Sequence, residues 1–305
     1  MSRFVQQDVI ADPFELTVVD RPEPQAGPGQ VRVRVAAAGL NPVDWKIASN
    51  PAAATAFGVS APTGFGNDFA GVVDEVGDGV TDFAVGDRVL GGARGRAVAD
   101  HVVVDPSTER LVAAPVGLDL EVASALTIAG LTADAVLTVS GLKEGETVVV
   151  SAAAGGVGVL TVQLAKRLGA TVIGTASEKN HDFLSELGAI PVAYGEGLAD
   201  RLREATERVD VAIDLHGTDL VEAAAELGVV ADRIVTIAAG PNPPHGARAT
   251  GGTEASPGAL DRIARGLADE TLILPIEARF PIEQIDEAVA LQRSGHVRGK
   301  VVILT

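Results

Sequence analysis

Residues 147–160, TVVVSAAAGGVGVL, decide how this chain folds. A valine run enters a set of small residues, and a second apolar run leaves it. Residues 147–165 carry no charge and are long enough to suggest a membrane span. Ser151, Gly155, Gly156, Gly158, Thr161 and Gln163 interrupt that pattern, and a buried strand, a glycine turn and a buried helix account for it better. Elements in this order make an anion cradle. Gly155 has no Cβ to hold a pyrophosphate off the backbone, and Gly158 lets the helix pack closely on the strand. The helix start adds free N–H groups and the positive end of its dipole. The bland alternative is a tight turn with no ligand.

Outward from this turn, strands and helices alternate. Strands are expected at 147–153, 171–175, 191–194, 209–215 and 233–238, and helices at 156–168, 178–187, 198–207 and 219–227. Such alternation implies an α/β chain with a doubly wound parallel sheet. Upstream, 119–140 has a helical apolar pattern, while 30–37, 70–76, 85–89 and 100–105 read as strands between Gly and Pro turns. Short strands so spaced suggest a compact, barrel-like β-rich domain. Downstream, 240–258 reads as a long Gly/Pro loop, followed by a helix at 259–267, a strand near 272–280, a helix at 285–293 and a final strand at 300–304.

Composition removes whole classes of function. Lys and Arg number 24 against 41 Asp and Glu, a formal net charge of -17, which repels nucleic-acid backbones and anionic membrane surfaces. No cysteine is present, so there are no disulfides, thiolate nucleophiles or Cys-based zinc sites. The opening MSRFVQQDVIAD has no apolar secretory core, and a cytoplasmic protein is expected.

The end of the second strand of the sheet chooses between nicotinamide cofactors. An NAD site has an acid there to bond the ribose 2′-OH. Ala176 stands in that place, followed by Ser177, Glu178, Lys179 and Asn180. Ser177, Lys179 and Asn180 are therefore candidates for holding a 2′-phosphate; an ordinary exposed lysine is the alternative for Lys179.

Six motifs then occur in order: Asn41-Pro42-Val43-Asp44-Trp45-Lys46, Gly66-Asn67-Asp68-Phe69-Ala70-Gly71, Val85-Gly86-Asp87-Arg88-Val89, Ala129-Gly130-Leu131-Thr132-Ala133, the 152–158 turn and Gly299-Lys300-Val301-Val302. Together they resemble, nearly end to end, the zinc-independent quinone oxidoreductase (zeta-crystallin-like) branch of the medium-chain dehydrogenase/reductase superfamily. The resemblance implies a discontinuous GroES-like catalytic domain, 1–122 with 271–305, and a Rossmann domain at 123–270 between its parts, with NADPH as cofactor. It implies reduction of a quinone or of the C=C bond of an α,β-unsaturated carbonyl, and a homodimer or homotetramer. It also implies cofactor contacts at Asn41, Thr132, Ala154, Gly155, Gly156, Val157, Gly158, His216, Ile237, Ala238 and Lys300. Zinc-dependent relatives carry a Cys where Asn41 stands and a His-Glu pair where Asn67-Asp68 stand, so no metal is expected. The tyrosine that some quinone reductases place in the Trp45-Lys46 segment is missing; the sole tyrosine is Tyr194.

Hydride transfer is the cofactor's own chemistry, and the protein must stabilise the oxyanion that develops. Asn41 and Lys46 are the candidate donors, Lys46 also as a proton donor. Trp45 and Phe57 are candidates for an apolar substrate wall. A solvated lysine and ordinary core packing are the competing explanations. Three classes of function stay open: a quinone or enone reductase, an enoyl-thioester or biosynthetic tailoring reductase, and a non-catalytic NADPH-binding sensor or structural protein.

Overall fold

A computed structural model describes residues 1–305, and the chain divides into two units: 1–128 with 260–271 and 275–305, and 129–259 with 272–274. The first unit opens with an antiparallel hairpin, β1 (Ser2–Gln7) and β2 (Thr17–Arg21), and continues into β3 (Val31–Leu40). In β3 the alternation has its expected result: Val31, Val33 and Val35 are buried and Arg34 is exposed. Two helices follow that the sequence reading does not anticipate, α1 (Pro42–Ser49) and α2 (Pro51–Ala56). Each starts at an Asn-Pro pair, where Pro presets φ for the first helical residue and Asn precedes it as cap. The Oδ1 of Asn50 accepts the N–H groups of Ala52 and Ala53 at 2.9 and 3.2 Å. Then come β4 (Thr63–Gly64), β5 (Asp68–Val76), β6 (Arg88–Gly92), β7 (His101–Val104), β8 (Leu111–Ala113) and α3 (Leu120–Ser124), and α4 (Thr127–Ser140) starts in this unit but belongs from residue 129 onward to the second.

The second unit alternates as its sequence suggests. In order it holds β9 (Thr147–Val150), α5 (Gly156–Arg167), β10 (Thr171–Ala176), α6 (His181–Glu186), β11 (Ile190–Ala193), α7 (Leu198–Ala205), β12 (Val211–Asp214), α8 (Asp219–Glu226), β13 (Ile234–Thr236) and β14 (Arg248–Ala249). The strands form one parallel sheet in the order β11-β10-β9-β12-β13-β14. Strand order reverses between β9 and β12, which opens a crevice beyond their C-terminal ends. Both faces of the sheet are covered, with Val149, Ile173 and Ala212 in one core cluster and Val148, Val172 and Ile213 in another. No helix is long and apolar enough to cross a membrane.

Several boundaries differ from the sequence reading, and three of them shape the cofactor end of the second unit. The strand expected to reach residue 153 stops at Val150, because the chain turns at Ala152, whose φ is 47°. The helix expected from 178 opens as a 3-10 turn, Glu178–Asn180, before α6. The loop 240–258 contains the sixth strand, β14, with Val235 paired to Arg248.

The chain returns to the first unit through α9 (Ala259–Ala268), β15 (Ile276–Pro281), α10 (Ile285–Arg293) and β16 (Lys300–Leu304). β16 pairs antiparallel with β3, Val301 opposite Leu40, in a sheet ordered β15-β16-β3-β5-β6-β8. This pairing brings Lys300 to the end of β3, next to Asn41.

Candidate cofactor and active site

In the second unit, the turn between β9 and α5 is built by close approach. A Cβ on Gly158 would stand 2.3 Å from the carbonyl oxygen of Ala152 and 2.7 Å from the Cα of Ala153. Any side chain there would push the helix off the turn. At Gly155, the N-cap of α5, a Cβ would meet only the Ala152 oxygen, at 3.3 Å. Gly155, Gly156 and Val157 are half-buried and Ala154 is buried. A helix start leaves its first N–H groups without intrahelical partners, so this turn presents donors and no obstructing side chain.

The sheet brings further expected residues to the same edge. His216 follows β12 and is exposed, while Ile237 and Ala238 follow β13 and are half-buried. Behind them lies a buried set that the sequence reading misses: Asp214 at the end of β12 accepts from the hydroxyls of Ser151 and Thr236 at 2.9 and 2.7 Å. The available signal was an acid closing an otherwise apolar strand, VAID. Burial pushes the Asp214 carboxyl above its ordinary pKa, and these donors oppose that shift. Thr132 is buried on α4 under the 240–258 loop; a Cβ on Gly252 would lie 3.6 Å from its hydroxyl.

Past β10, Ser177 is half-buried, Lys179 exposed and Asn180 buried. The turn is held by the N–H of Asn180 donating to the Ser177 carbonyl at 2.8 Å and by its side-chain amide donating to the Ser177 hydroxyl at 3.4 Å. Ala176, in the place where an NAD site carries an acid, pairs with Ala193 of the adjacent β11. Tyr194, one residue further on and exposed, therefore leaves the sheet beside Ser177.

In the first unit, Asn41, Asp44, Asn67, Asp68 and Lys300 form a buried polar cluster, none more than 8% exposed. The ammonium of Lys300 donates to the Leu40 carbonyl at 2.7 Å and to Asn41 Oδ1 at 2.6 Å. The Asn41 amide donates to Asp68 Oδ2 at 3.1 Å and to the Gly39 carbonyl at 3.3 Å. Asp68 Oδ2 also accepts the Ile128 N–H at 3.0 Å, while its Oδ1 is buried without a partner. Asp44 accepts the Asn41 N–H at 2.7 Å and the side-chain amide of Asn67. Burial pushes the carboxyls of Asp44 and Asp68 up to about 7 and about 6, and burial lowers Lys300 against the pull of both acids. Asn41 and Lys300, expected to touch the cofactor, are hydrogen-bonded to each other and to the protein.

The remaining candidates lie outside this cluster. Lys46 is exposed on α1, with its amine 5.8 Å from the Trp45 ring centroid. The Trp45 indole donates to the side chain of Gln292 on α10, and Arg293 lies 5.2 Å from its ring, so Trp45 packs within its own unit. Phe57 is 41% exposed under Arg94, which donates to its carbonyl at 2.9 Å.

Residues 27–115 match the alcohol dehydrogenase GroES-like domain, and residues 156–252 match the family described as zinc-binding dehydrogenase. A quinone oxidoreductase from Pseudomonas aeruginosa is 36% identical over 230 residues, covering 73% of this chain and 69% of its own. The chain belongs to the quinone oxidoreductase branch of the medium-chain dehydrogenase/reductase superfamily. It is similar, at 29% identity over 92% of its length and 73% of the relative's, to a chloroplastic NADPH-dependent alkenal/one oxidoreductase from Arabidopsis thaliana. The solved structure of a mycobacterial protein complexed with NADPH superposes over 100% of both chains, with a TM-score of 0.86 at 26% identity. The branch makes this chain an NAD(P)H-dependent oxidoreductase of the quinone or alkenal reductase type, with a GroES-like unit and a Rossmann unit.

The family description speaks of zinc, and the residues here do not fit it. Zinc-dependent members place sulfur, imidazole and carboxylate where this branch member has two amides and Asp68, and the ammonium of Lys300 already occupies that neighbourhood. No group of His, Cys, Asp and Glu side chains is arranged to hold a metal ion. The β9–α5 turn, in contrast, fits a dinucleotide, because Gly155 leaves the first N–H groups of α5 uncovered and Gly158 lets that helix start sit directly on the turn.

Proposed function

We propose that the chain uses NADPH to reduce a quinone, or the C=C bond of an α,β-unsaturated carbonyl, without zinc. The observation that carries this reading is the pairing of an open glycine cradle at Gly155–Gly158 with a neighbouring strand end that lacks an acid. NADPH, when bound, supplies the hydride. The N–H groups at the start of α5 bind the pyrophosphate, helped by the helix dipole. Ser177 and Asn180 give neutral donors to the 2′-phosphate, and Lys179 gives a cation. Lys46 offers an exposed ammonium to the oxygen on which negative charge develops, and a proton to the product. Asn41 acts by shape rather than by donation, since Lys300 and Asp68 use both ends of its amide.

The test is NADPH and NADH oxidation by the purified protein against quinones, enones and acyl thioesters. Turnover of quinones or enones, with NADPH preferred, is the expected result. Activity confined to acyl thioesters would assign the chain to biosynthetic reduction, and tight NADPH binding with no turnover would make it a sensor or structural protein.

A further inference from the structure

Asp214 takes no part in the cradle or in the 2′-phosphate turn, yet its carboxylate ties together the ends of three strands. Its Oδ1 accepts from the Ser151 hydroxyl at 2.9 Å and from the His216 N–H at 3.4 Å, and its Oδ2 accepts from the Thr236 hydroxyl at 2.7 Å. Both hydroxyl oxygens are themselves acceptors. Ser151 Oγ takes the Leu215 N–H at 2.7 Å, and Thr236 Oγ1 takes the N–H groups of Ala238 and Ala239 at 3.0 and 3.1 Å.

Two backbone N–H groups occupy both lone pairs of Thr236 Oγ1, so that hydroxyl can only donate to Asp214, and Ser151 Oγ, which accepts one N–H, donates to the same carboxylate. A carboxylate can accept all of them, whereas an amide of the same shape must turn a donor toward one hydroxyl. The positions held in this way are Ser151 after β9, which leads into the glycine turn, 215–216 after β12 and 238–239 after β13. They sit around the reversal of strand order, and none of the side-chain bonds of Asp214 reaches β10.

We propose that Asp214 is a positioning residue for the pyrophosphate and nicotinamide half of the cofactor, acting through Ser151 and Thr236 on these three turns. The proposal rests on the reading that NADPH binds at the end of this sheet. The adenosine half is held independently by the Ser177–Asn180 turn after β10. Loss of Asp214 should therefore loosen one half of the ligand and leave the other in place.

The experiment titrates NADPH and adenosine 2′-monophosphate against the wild-type chain and the Asp214→Asn, Thr236→Val and Ser151→Ala variants, with a thermal melt of each. Asp214→Asn should raise the Kd for NADPH about tenfold, while the Kd for adenosine 2′-monophosphate stays within about twofold, as expected for a separate site. Single-turnover oxidation of bound NADPH by a quinone, which takes up the hydride, should slow by about 10²-fold if the turns shift by about 1 Å. If Asp214→Asn does not fold, Thr236→Val carries the same two titrations, since it removes one donor to Asp214 and the acceptor for Ala238 and Ala239. Equal weakening of both ligands, or weakening of neither, would overturn the proposal. A wild-type chain that binds neither ligand would overturn the cofactor reading itself.

Discussion

Lys300 and Asn41 stand 259 positions apart in the chain, and the ammonium of one lies 2.6 Å from the amide oxygen of the other, both buried. The contact is one edge of a cluster in which a single cation serves two carboxyl groups, Asp44 and Asp68. That charge count determines how the cluster responds to mutation and to pH.

Lys300→Met should be strongly destabilising. It removes the only cation facing two buried carboxyls and leaves Asn41 Oδ1 without its donor. Breaking a buried pair from one side costs about 3–5 kcal/mol, and chemical denaturation of wild type and variant at neutral pH measures it. A loss below about 1 kcal/mol, the range of exposed pairs, would mean that the cluster does not depend on this charge.

The pH dependence has a definite sign. Burial lifts Asp44 from 3.8 to about 7 and Asp68 from 3.8 to about 6. Between those values the folded state binds more protons than the unfolded state, so this contribution to stability is complete below pH 3.8 and is lost as pH rises toward about 7. The slope reaches at most ~1.4 kcal/mol per pH unit for each proton. Asp44→Asn should flatten the stability profile across that window, which denaturation midpoints at several pH values would reveal. An unchanged slope would place the proton elsewhere.

Gly155→Ala and Gly158→Ala should separate ligand binding from folding. At Gly158 the new methyl group would meet backbone at 2.3 Å, and overpacking of this kind costs about 1–3 kcal/mol. At Gly155 the nearest atom is the Ala152 carbonyl oxygen at 3.3 Å, a tight contact but a much milder one, so the thermal midpoint should fall by less than at Gly158 while NADPH affinity falls. Melting curves and NADPH titrations on both variants are sufficient to decide.

Lys179→Ala should weaken NADPH and spare NADH, which has no phosphate to lose. A charge-assisted hydrogen bond is worth about 1.5–3 kcal/mol, and the exposure of Lys179 brings the expected loss to about tenfold, smaller at high salt. Equal losses for both cofactors would remove the 2′-phosphate role from this turn.

Lys46→Ala should lower kcat by about 10²-fold, as for the loss of a donor that acts in the transition state, with little change in NADPH affinity. An unchanged kcat on several substrates would return Lys46 to a solvated residue stacked on Trp45.

The Rossmann unit was legible because its signals are local. The valine run of β9, the glycines at 155, 156 and 158 and the return of apolar strands every few tens of residues all lie within short windows of sequence. β14 was not legible, because its two residues, Arg248 and Ala249, carry no period. α1 and α2 announce themselves only in their Asn-Pro starts, a local signal that hydrophobic periodicity does not register. The family resemblance is likewise written in short motifs, and the absence of cysteine follows from composition alone.

What the sequence determined by itself was the alternation of elements, the glycine cradle, the missing acid at Ala176 and membership of the branch. Tertiary structure alone decided what the polar residues do. Nothing in the motifs pairs Asn41 with Lys300; the pairing of β16 with β3 places them against each other. Asp214 and Thr236 look like ordinary strand ends until β9, β12 and β13 lie side by side. Periodicity and propensity report on neighbours in sequence, whereas a hydrogen bond between residues dozens or hundreds of positions apart exists only after the sheet has closed and excluded water from both partners.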